Sequence, residues 1–164
     1  MSVSARRVAG CAFCAIGEGL SPAARIADEP RAFAFLDARP IFKGHVLVAT
    51  QDHVADLAEL PEEDLAPLFS LARRIANALE KGLGAGGAFV ALNHRISQSV
   101  PHLHVHVVPR SKGDGLRGFF WPRQAYASQE EAEGIAGKIR QAFEGRGDFT
   151  GETTELIDPR GPRP

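Results

Sequence analysis

The chain has 164 residues, of which 44% are hydrophobic and 24% are charged, and its formal net charge is -1 at pH 7. This length allows a single domain that buries well over half of its surface. The near-zero charge provides no basic field that would attract nucleic acid or an anionic membrane, so we expect neither as a partner. No apolar run approaches the length of a bilayer span, and the first ten residues lack the apolar segment of a secretory signal. We therefore expect a cytoplasmic protein.

The first candidate site in chain order is a C-x-x-C pair, Cys11 and Cys14 in the stretch CAFC, and the sequence has only these two cysteines. In a reducing compartment such a pair is more typical of a metal site or a redox motif than of a structural disulfide. A thioredoxin-like motif would open a helix after a strand, which Gly10 and the following GEGLSP do not suggest. We therefore expect a metal, with two further ligands supplied by some of the six histidines.

The middle of the chain alternates strand and helix patterns. RIADEPRAFAFLD predicts two short strands around Glu29-Pro30, and HVLVAT predicts a third strand. Asp52 is expected to cap a short helix over HVADLAEL, and Pro61 with the acidic residues after it marks the start of a longer helix. The apolar residues of that helix recur at i, i+3, i+4 and i+7, which predicts one buried face: Leu65, Leu68, Phe69, Ala72, Ile75, Ala76 and Leu79.

The remaining patterns complete the predicted fold. AFVALN predicts another strand, followed by the loop HRISQS and the strand HLHVHVVP, and Ser128 with Glu131 forms a capping-box pattern for a last helix. These elements predict an α+β fold with a largely antiparallel sheet of about five strands, one long helix and one or two shorter helices. We expect a single domain over residues 1–146 and a polar, flexible tail over residues 147–164.

The strand HLHVHVVP carries His102, His104 and His106 at alternate positions, so the three rings are predicted to share one face of the sheet. Three imidazoles in strict alternation serve no packing purpose, and each buried nitrogen without a partner would cost free energy. One interpretation is a metal held by two neighbouring rings, because the outer rings start roughly 13 Å apart. A second interpretation gives each ring its own role, since neutral imidazole is a nucleophile near pH 7 and a neighbouring ring can stabilise phosphate charge.

The stretch QSVPHLHVHVVPR resembles the signature of the histidine-triad (HIT) superfamily, in which His-x-His-x-His is followed by two apolar residues. Other motifs occur in the order of that family, from about residue 11 to residue 115: CAFC, AFLDARP, GHVLVATQDH, ALN and RSKGDG. The resemblance implies a HIT-like fold that forms a homodimer with one sheet across both subunits. It also implies cleavage at the α-phosphate of a nucleoside 5′-phosphate derivative through a covalent nucleotidyl-histidine, with adenosine or guanosine as the nucleoside. Candidate substrates are dinucleoside polyphosphates, phosphoramidates and adenylylated adducts.

The resemblance assigns roles to individual residues. His104 would be the nucleophile and His106 a phosphate contact, while Asp37 would bind the ribose hydroxyls as a carboxylate acceptor. Phe35 would lie near the base. Other contacts to the nucleotide, mainly on its phosphate side, are expected from His45, Asn93, Gln98 and Ser99. In zinc-containing relatives, C-x-x-C, a downstream histidine and the first triad histidine hold a structural zinc, which here implies Cys11, Cys14, His53 and His102.

The sequence departs from the family pattern in the loop before the histidine strand, where Ser97 replaces a common glycine. His94 and Arg95 in the same loop have no role that the resemblance assigns. Residues 119–123, FFWPR, either belong to the core or close over the leaving-group side of the site.

Two other functions are compatible with these motifs. One is a purine-nucleotide-binding module that acts through a partner protein, and the other is a hydrolase with zinc at the reaction centre. The presence of His104 favours a nucleophilic enzyme, because binding alone would not require it.

Overall fold

The structure is a computed structural model, and it describes residues 6–116 and 125–142. The chain divides into two compact units, one up to Gly115 and the other from Leu116 onward. The first unit contains the strands Arg25–Asp28 (β1), Ala32–Leu36 (β2), Val46–Thr50 (β3), Gly87–Ala91 (β4) and His104–Arg110 (β5). It also contains the helices Ala12–Gly17 (α1) and Glu62–Leu83 (α2) and a 3₁₀ turn at Leu57–Glu59. The second unit contains the helix Gln129–Ala142 (α3).

The five strands form one antiparallel sheet in the order β1-β2-β3-β5-β4. This arrangement, with three helices, confirms the predicted α+β class and the number of strands. Strand β5 pairs with β3 on one side, where Leu47 lies opposite His106, and with β4 on the other. The histidine strand therefore lies between two hydrogen-bonded neighbours, which fixes the direction of its side chains.

Helix α2 covers one face of this sheet. It starts directly after Pro61, as predicted, and ends at Gly84, whose φ of +66° is the left-handed conformation typical of a helix C-terminus. Leu71 belongs to the buried face although the pattern did not include it, whereas Leu65 and Phe69 are 39% and 43% exposed. The predicted face was therefore wrong at those two positions, which lie at its border.

The two faces of the sheet carry two different apolar clusters. The cluster under α2 combines residues of the helix with small and β-branched residues of the strands. Leu103, directly before β5, and Val105 and Val107 within it belong to this cluster, as the alternation in the histidine stretch predicts. The cluster on the opposite face is aromatic: Phe13, Phe33, Phe35, Leu47 and Ala49. His104 and His106 alternate with the valines and therefore lie on this aromatic face.

Two local predictions were wrong. Cys11 caps a helix, α1, and accepts a hydrogen bond from the backbone N–H of Cys14, so the C-x-x-C pair does open a helix. Asp52 does not cap the turn that follows it. Its carboxylate accepts from the backbone N–H of Arg6, while Asp56 caps the 3₁₀ turn. Backbone hydrogen bonds hold the segment between them: the His53 N–H donates to the Arg6 carbonyl, and the Val54 carbonyl accepts from the N–H of Leu103.

In the second unit, Ser128 caps α3 as predicted, but the return bond of the capping box goes to the residue before the cap. The backbone N–H of Glu131 donates to Ser128 Oγ, and the Glu131 carboxylate accepts from the N–H of Ala127. The segment 119–123 and the predicted tail, 147–164, lie outside the described residues, so the domain boundary at residue 146 stays a prediction. In the part of the chain that the structure describes, no helix combines the length and apolarity that a membrane span requires.

The packing of α2 can be tested with two identical substitutions in one helix. Leu68 is fully buried against the sheet, so Leu68→Ala should lower the free energy of unfolding by about 2–5 kcal/mol. Leu83 is 61% exposed, and Leu83→Ala should cost less than about 1 kcal/mol. Urea denaturation at a fixed protein concentration measures both values, and equal losses would contradict this orientation of the helix.

Candidate functional site

Four side chains from distant parts of the sequence meet at the start of the histidine strand: Cys11, Cys14, His53 and His102. Their potential ligand atoms all lie within 4.8 Å of one another. Nδ1 of His102 is 3.5 Å from Cys11 Sγ and 3.6 Å from Cys14 Sγ, and Nδ1 of His53 is 3.4 Å from Cys14 Sγ. The four residues therefore lie close enough together to bind a metal ion.

His102 is fixed in the form that a metal ligand requires. Its Nε2–H donates to the backbone carbonyl of Thr50 at 2.8 Å, so the lone pair is on Nδ1, the nitrogen that faces the two sulfur atoms. Burial, more than any other cause, lowers the pKa of His102 to about 4. The ring is therefore neutral at pH 7 and its lone pair is free to coordinate. A hydrogen bond at the second nitrogen is the usual support of a metal-binding histidine.

The distances also fit one particular kind of ion. Metal–sulfur and metal–nitrogen bonds of about 2.3 and 2.0 Å in a tetrahedral zinc site place the ligand atoms roughly 3.5 Å apart. The observed sulfur–nitrogen distances, 3.4 to 3.6 Å, match this spacing. Backbone N–H groups of Val8 and Cys14 donate to the two sulfur atoms, which would support thiolates. Two thiolates and two neutral imidazoles are a donor set that suits structural zinc.

The segment before the first cysteine holds His53 in place. The guanidinium of Arg6 donates to the His53 carbonyl through Nε at 3.0 Å and Nη2 at 2.6 Å, and the His53 N–H donates to the Arg6 carbonyl. Sequence reasoning missed this contribution, because nothing in the local pattern distinguishes Arg6 from a solvated arginine.

His104, two residues after His102, is 4% exposed. Its Nδ1–H donates to the carbonyl of His102 at 2.7 Å, which leaves Nε2 unprotonated. Burial lowers the pKa of His104, so the neutral form dominates at pH 7. A neutral imidazole with one nitrogen held by a hydrogen bond and the other carrying a lone pair can act as a nucleophile.

His106, His45 and Asp37 form a second polar group beside His104. The ring of His106 lies 4.8 Å from that of His104, centroid to centroid, and its Nδ1 is 3.0 Å from Nε2 of His45. The Asp37 carboxylate lies 3.4 Å from Nδ1 of His45 and accepts from the N–H of Arg39. Three of the predicted site residues are thus brought together on the aromatic face.

Phe13 lies beside His104, and Phe35 packs against Phe13. The rings of these two phenylalanines meet edge to face at 5.2 Å, and the Phe13 ring lies 5.0 Å from the ring of His104. Phe35 was predicted as a site residue, whereas Phe13 was not. The sequence did contain a signal for Phe13, because it stands between Cys11 and Cys14. A residue between two predicted metal ligands is expected to lie beside the predicted metal site.

The predicted loop residues have mixed surroundings. The side-chain amide of Gln98 donates to the Ala55 carbonyl at 3.0 Å, and that of Asn93 donates to the Ser97 carbonyl at 3.2 Å, while Ser99 is exposed. Both amides therefore bind backbone in this structure. Their roles as nucleotide contacts stay predictions.

Two residues of the same loop, Arg95 and Ser97, have φ angles of +66° and +63°. This left-handed region favours glycine, so both residues hold a conformation that side chains rarely adopt. The Arg95 guanidinium pairs with Asp56 at 2.9 Å and lowers the pKa of that carboxyl more than any other cause. Arg95, which the sequence left without a role, therefore ties the loop to the 3₁₀ turn.

The described residues thus form an α+β protein in which one long helix covers a five-stranded antiparallel sheet, and the opposite, aromatic face of the sheet carries a histidine-lined site. The sequence pattern of the HIT domain matches residues 18–113, which is more than half of the chain. The chain belongs to the HIT domain family.

Three similar proteins give this family membership more detail. The adenosine 5′-monophosphoramidase of Schizosaccharomyces pombe is 33% identical over 135 residues, which cover 79% of this chain and 98% of the relative. The asymmetrical bis(5′-nucleosyl)-tetraphosphatase of the same organism is 37% identical over 83 residues, which span 49% of this chain and 46% of that protein. The crystal structure of a zinc-bound histidine triad family protein from Mycobacterium smegmatis superposes with a TM-score of 0.64 at 34% identity, covering 82% of this chain and 98% of that one.

The metal cluster predicts a matched pair of results for two histidines. Protein purified without chelator should contain about one metal ion per chain, and His53→Ala should lower both the metal content and the melting temperature, because a structural metal contributes folding free energy. His94 is exposed and lies outside the cluster, so His94→Ala should leave the metal content unchanged. Elemental analysis and thermal denaturation measure these quantities. Equal metal content in both variants would contradict the assignment of His53 as a ligand.

Proposed function

We propose that this protein is a hydrolase or transferase that cleaves the bond between the α-phosphate of a nucleoside 5′-phosphate derivative and its leaving group. The two named relatives are a phosphoramidase and a tetraphosphatase, and both names support a nucleotide hydrolase activity. The observation that carries the proposal is the state of His104: a neutral, buried ring whose Nδ1–H is held by the His102 carbonyl and whose Nε2 is unprotonated.

The proposed reaction has two steps. Nε2 of His104 attacks the α-phosphorus with its lone pair, and the bond to the leaving group breaks, with its electron pair departing on that group. The product of this step is a nucleotidyl-imidazole. Water, or another acceptor in a transfer reaction, then attacks the same phosphorus, the phosphorus–nitrogen bond breaks, and the electron pair returns to Nε2. The acceptor loses a proton to solvent in this step, and solvent supplies the proton that an amine leaving group gains in the first. Covalent catalysis of this kind replaces one difficult displacement with two easier ones.

The other site residues would bind the nucleotide around His104. We assign His106 to a phosphate oxygen, where an N–H donor would stabilise the charge that develops during attack. Asp37, 22% exposed at its side chain, can accept from ribose hydroxyls, and we place the base beside Phe35, which is largely buried against Phe13. Asn93, Gln98 and Ser99 would approach the phosphate side from the loop before β5.

We propose zinc as the ion at the metal cluster, with Cys11, Cys14, His53 and His102 as its ligands. The sulfur–nitrogen distances and the donor set support this choice, as does the zinc-bound relative from Mycobacterium smegmatis. All four ligand positions come from the protein, which is typical of structural zinc rather than of a catalytic site with an open position. In this role zinc would hold His102, whose carbonyl orients His104.

The proposed nucleophile can be tested with adenosine 5′-phosphoramidate as the substrate. His104→Asn should lower turnover by at least about a thousandfold while nucleotide affinity stays within about tenfold, because other groups supply most of the uniform binding. His94→Asn is the matched control and should keep the activity of the unaltered protein.

A second measurement detects the intermediate directly. Unaltered protein quenched during turnover of a substrate labelled at the α-phosphate should carry acid-labile, base-stable label on His104. Robust turnover by His104→Asn would contradict the mechanism. Tight nucleotide binding without turnover of any substrate in a panel of leaving groups would instead indicate a binding module.

We also propose a homodimer that uses the border of α2. Leu65 and Phe69 lie one turn apart on this helix and expose more than a third of their surface, although both are large and apolar. An exposed apolar pair of this kind on a helix is a candidate for contact with a second subunit. Leu65 and Phe69 were predicted to be buried, and contact with a second subunit would bury them.

The dimer proposal predicts that a charge at this border separates the subunits. Phe69→Glu should convert a dimer at micromolar concentration into a monomer, because burying an unpaired carboxylate in an interface is costly. Ser70 is exposed and lies about 100° further round the helix, so Ser70→Glu introduces the same charge away from the pair. Sedimentation velocity distinguishes the two variants. A monomeric unaltered protein, or equal behaviour of both variants, would contradict this interface.

A further inference from the structure

Backbone contacts on both sides fix the position of His45. Its backbone N–H donates to the Phe42 carbonyl and its carbonyl accepts from the N–H of Asp37, both at 2.9 Å. Gly44, directly before it, has a φ of +96°, and a Cβ at that position would lie 2.5 Å from Leu83 Cδ1. The turn that presents the His45 ring therefore requires glycine, and the ring position is fixed by the backbone on both sides.

Both ring nitrogens of His45 already have partners within the protein. The backbone N–H of Ile41 donates to Nδ1 at 3.3 Å, and Nε2 lies 3.0 Å from Nδ1 of His106. The residue is 2% exposed. Both nitrogens have partners in this structure, and a direct contact of His45 with phosphate stays a prediction. An effect of His45 on a ligand can pass through His106 or through Asp37, whose carboxylate lies 3.4 Å from His45 Nδ1, and the contact with His106 is the shorter of the two.

The position of the proton on His106 determines what that ring offers. Burial lowers the pKa of His106 to about 4, with smaller contributions from His104 and His45, and burial also lowers the pKa of His45. Both rings are therefore neutral at pH 7. A neutral imidazole has one N–H donor and one acceptor nitrogen, so His106 presents either a donor or a lone pair to a ligand, depending on its tautomer.

The backbone amide of Ile41 determines the order of donors and acceptors. An amide N–H can only donate, so Nδ1 of His45 accepts and the proton of that ring is on Nε2. This Nε2–H then donates to Nδ1 of His106, which leaves the proton of His106 on its own Nε2. That nitrogen is the one that the contact with His45 leaves available to a ligand.

We propose that His45 is a positioning residue. The Ile41 amide keeps the proton of His45 on Nε2, this Nε2–H donates to Nδ1 of His106, and His106 then presents its own Nε2–H to an anionic phosphate oxygen. This inference deepens the proposed function and rests on it for its catalytic consequence. The tautomers themselves are a property of the protein without ligand. They can therefore be measured whatever reaction the protein catalyses.

Two other arrangements of the same atoms make different predictions. Asp37 lies 3.4 Å from Nδ1 of His45, and a proton shared with that carboxylate would reverse the chain, so that His106 presented a lone pair to the phosphate. Asp37, His45 and His106 also lie close enough to hold a metal ion. A metal would require lone pairs on both facing nitrogens, whereas a separation of 3.0 Å suits one shared proton.

The first test is nuclear magnetic resonance of the protein uniformly labelled with ¹⁵N, as purified and without nucleotide. Long-range ¹H–¹⁵N correlation spectra at pH 7 distinguish protonated from unprotonated ring nitrogens. We expect His45 and His106 both to carry the proton on Nε2. A proton on Nδ1 of His106 would overturn the proposal. A second metal ion per chain that is lost in Asp37→Asn would overturn it equally.

The second test separates positioning from general structural support by kinetics. His45→Phe keeps a ring but removes the donor, whereas His45→Gln can place an amide N–H near the position of Nε2. We expect His45→Phe to lower kcat about tenfold with KM within about threefold, because the His106 donor acts mainly on charge that develops in the transition state. His45→Gln should restore kcat to within about threefold of the unaltered protein.

A double-substitution cycle completes the kinetic test. If His45 acts only through His106, His45→Phe should cause no further loss of kcat in a His106→Ala background. The same loss in both backgrounds would show that His45 acts by another route and would overturn the proposal. Absence of turnover in the unaltered protein would contradict the proposed function instead, and the tautomer measurement would still decide the role of His45.

Discussion

The hydrogen bond from Nδ1–H of His104 to the carbonyl of His102, 2.7 Å long, is the interaction on which the site depends. It joins two parts of the site, the four side chains that could bind a metal and the ring that we propose as nucleophile. The imidazole of His102 belongs to the cluster and its backbone carbonyl sets the tautomer of His104. A displacement of His102 would therefore change both the metal site and the direction of the lone pair on His104.

The sheet makes this arrangement possible because it separates two functions between its faces. Leu103, Val105 and Val107 pack under α2 and stabilise the fold by their burial. His104 and His106, between them, face the aromatic cluster on the other side. Neighbouring strands on both sides of β5 hold its backbone, so the alternation is rigid. A slip of one residue would exchange the two faces and bury the imidazoles under the helix. The fold therefore fixes the site through strand register.

Much of this could be predicted from sequence, because it depends on local periodicity or on a recognisable motif. Alternation in the sequence predicted strands β2 and β5 and the shared face of His104 and His106. The resemblance to HIT proteins predicted that His53 and His102 lie beside Cys11 and Cys14. The burial of His45, the contact of Phe13 with His104 and the pair Asp56–Arg95 could not be predicted. Each depends on how side chains distant in sequence meet, which periodicity does not encode.

Burial explains why backbone dipoles, rather than charges, control the histidines of this site. Desolvation lowers the pKa of His45, His102, His104 and His106, so at pH 7 each ring is neutral and its behaviour depends on which nitrogen holds the proton. Peptide groups make that choice for three of the rings: the carbonyls of Thr50 and His102 accept, and the amide of Ile41 donates, while His106 depends on its contact with His45. Because peptide groups do not titrate, the choice does not change with pH near neutrality. Fixed dipoles of this kind need no reorganisation when charge develops, which is the condition for electrostatic stabilisation of a transition state.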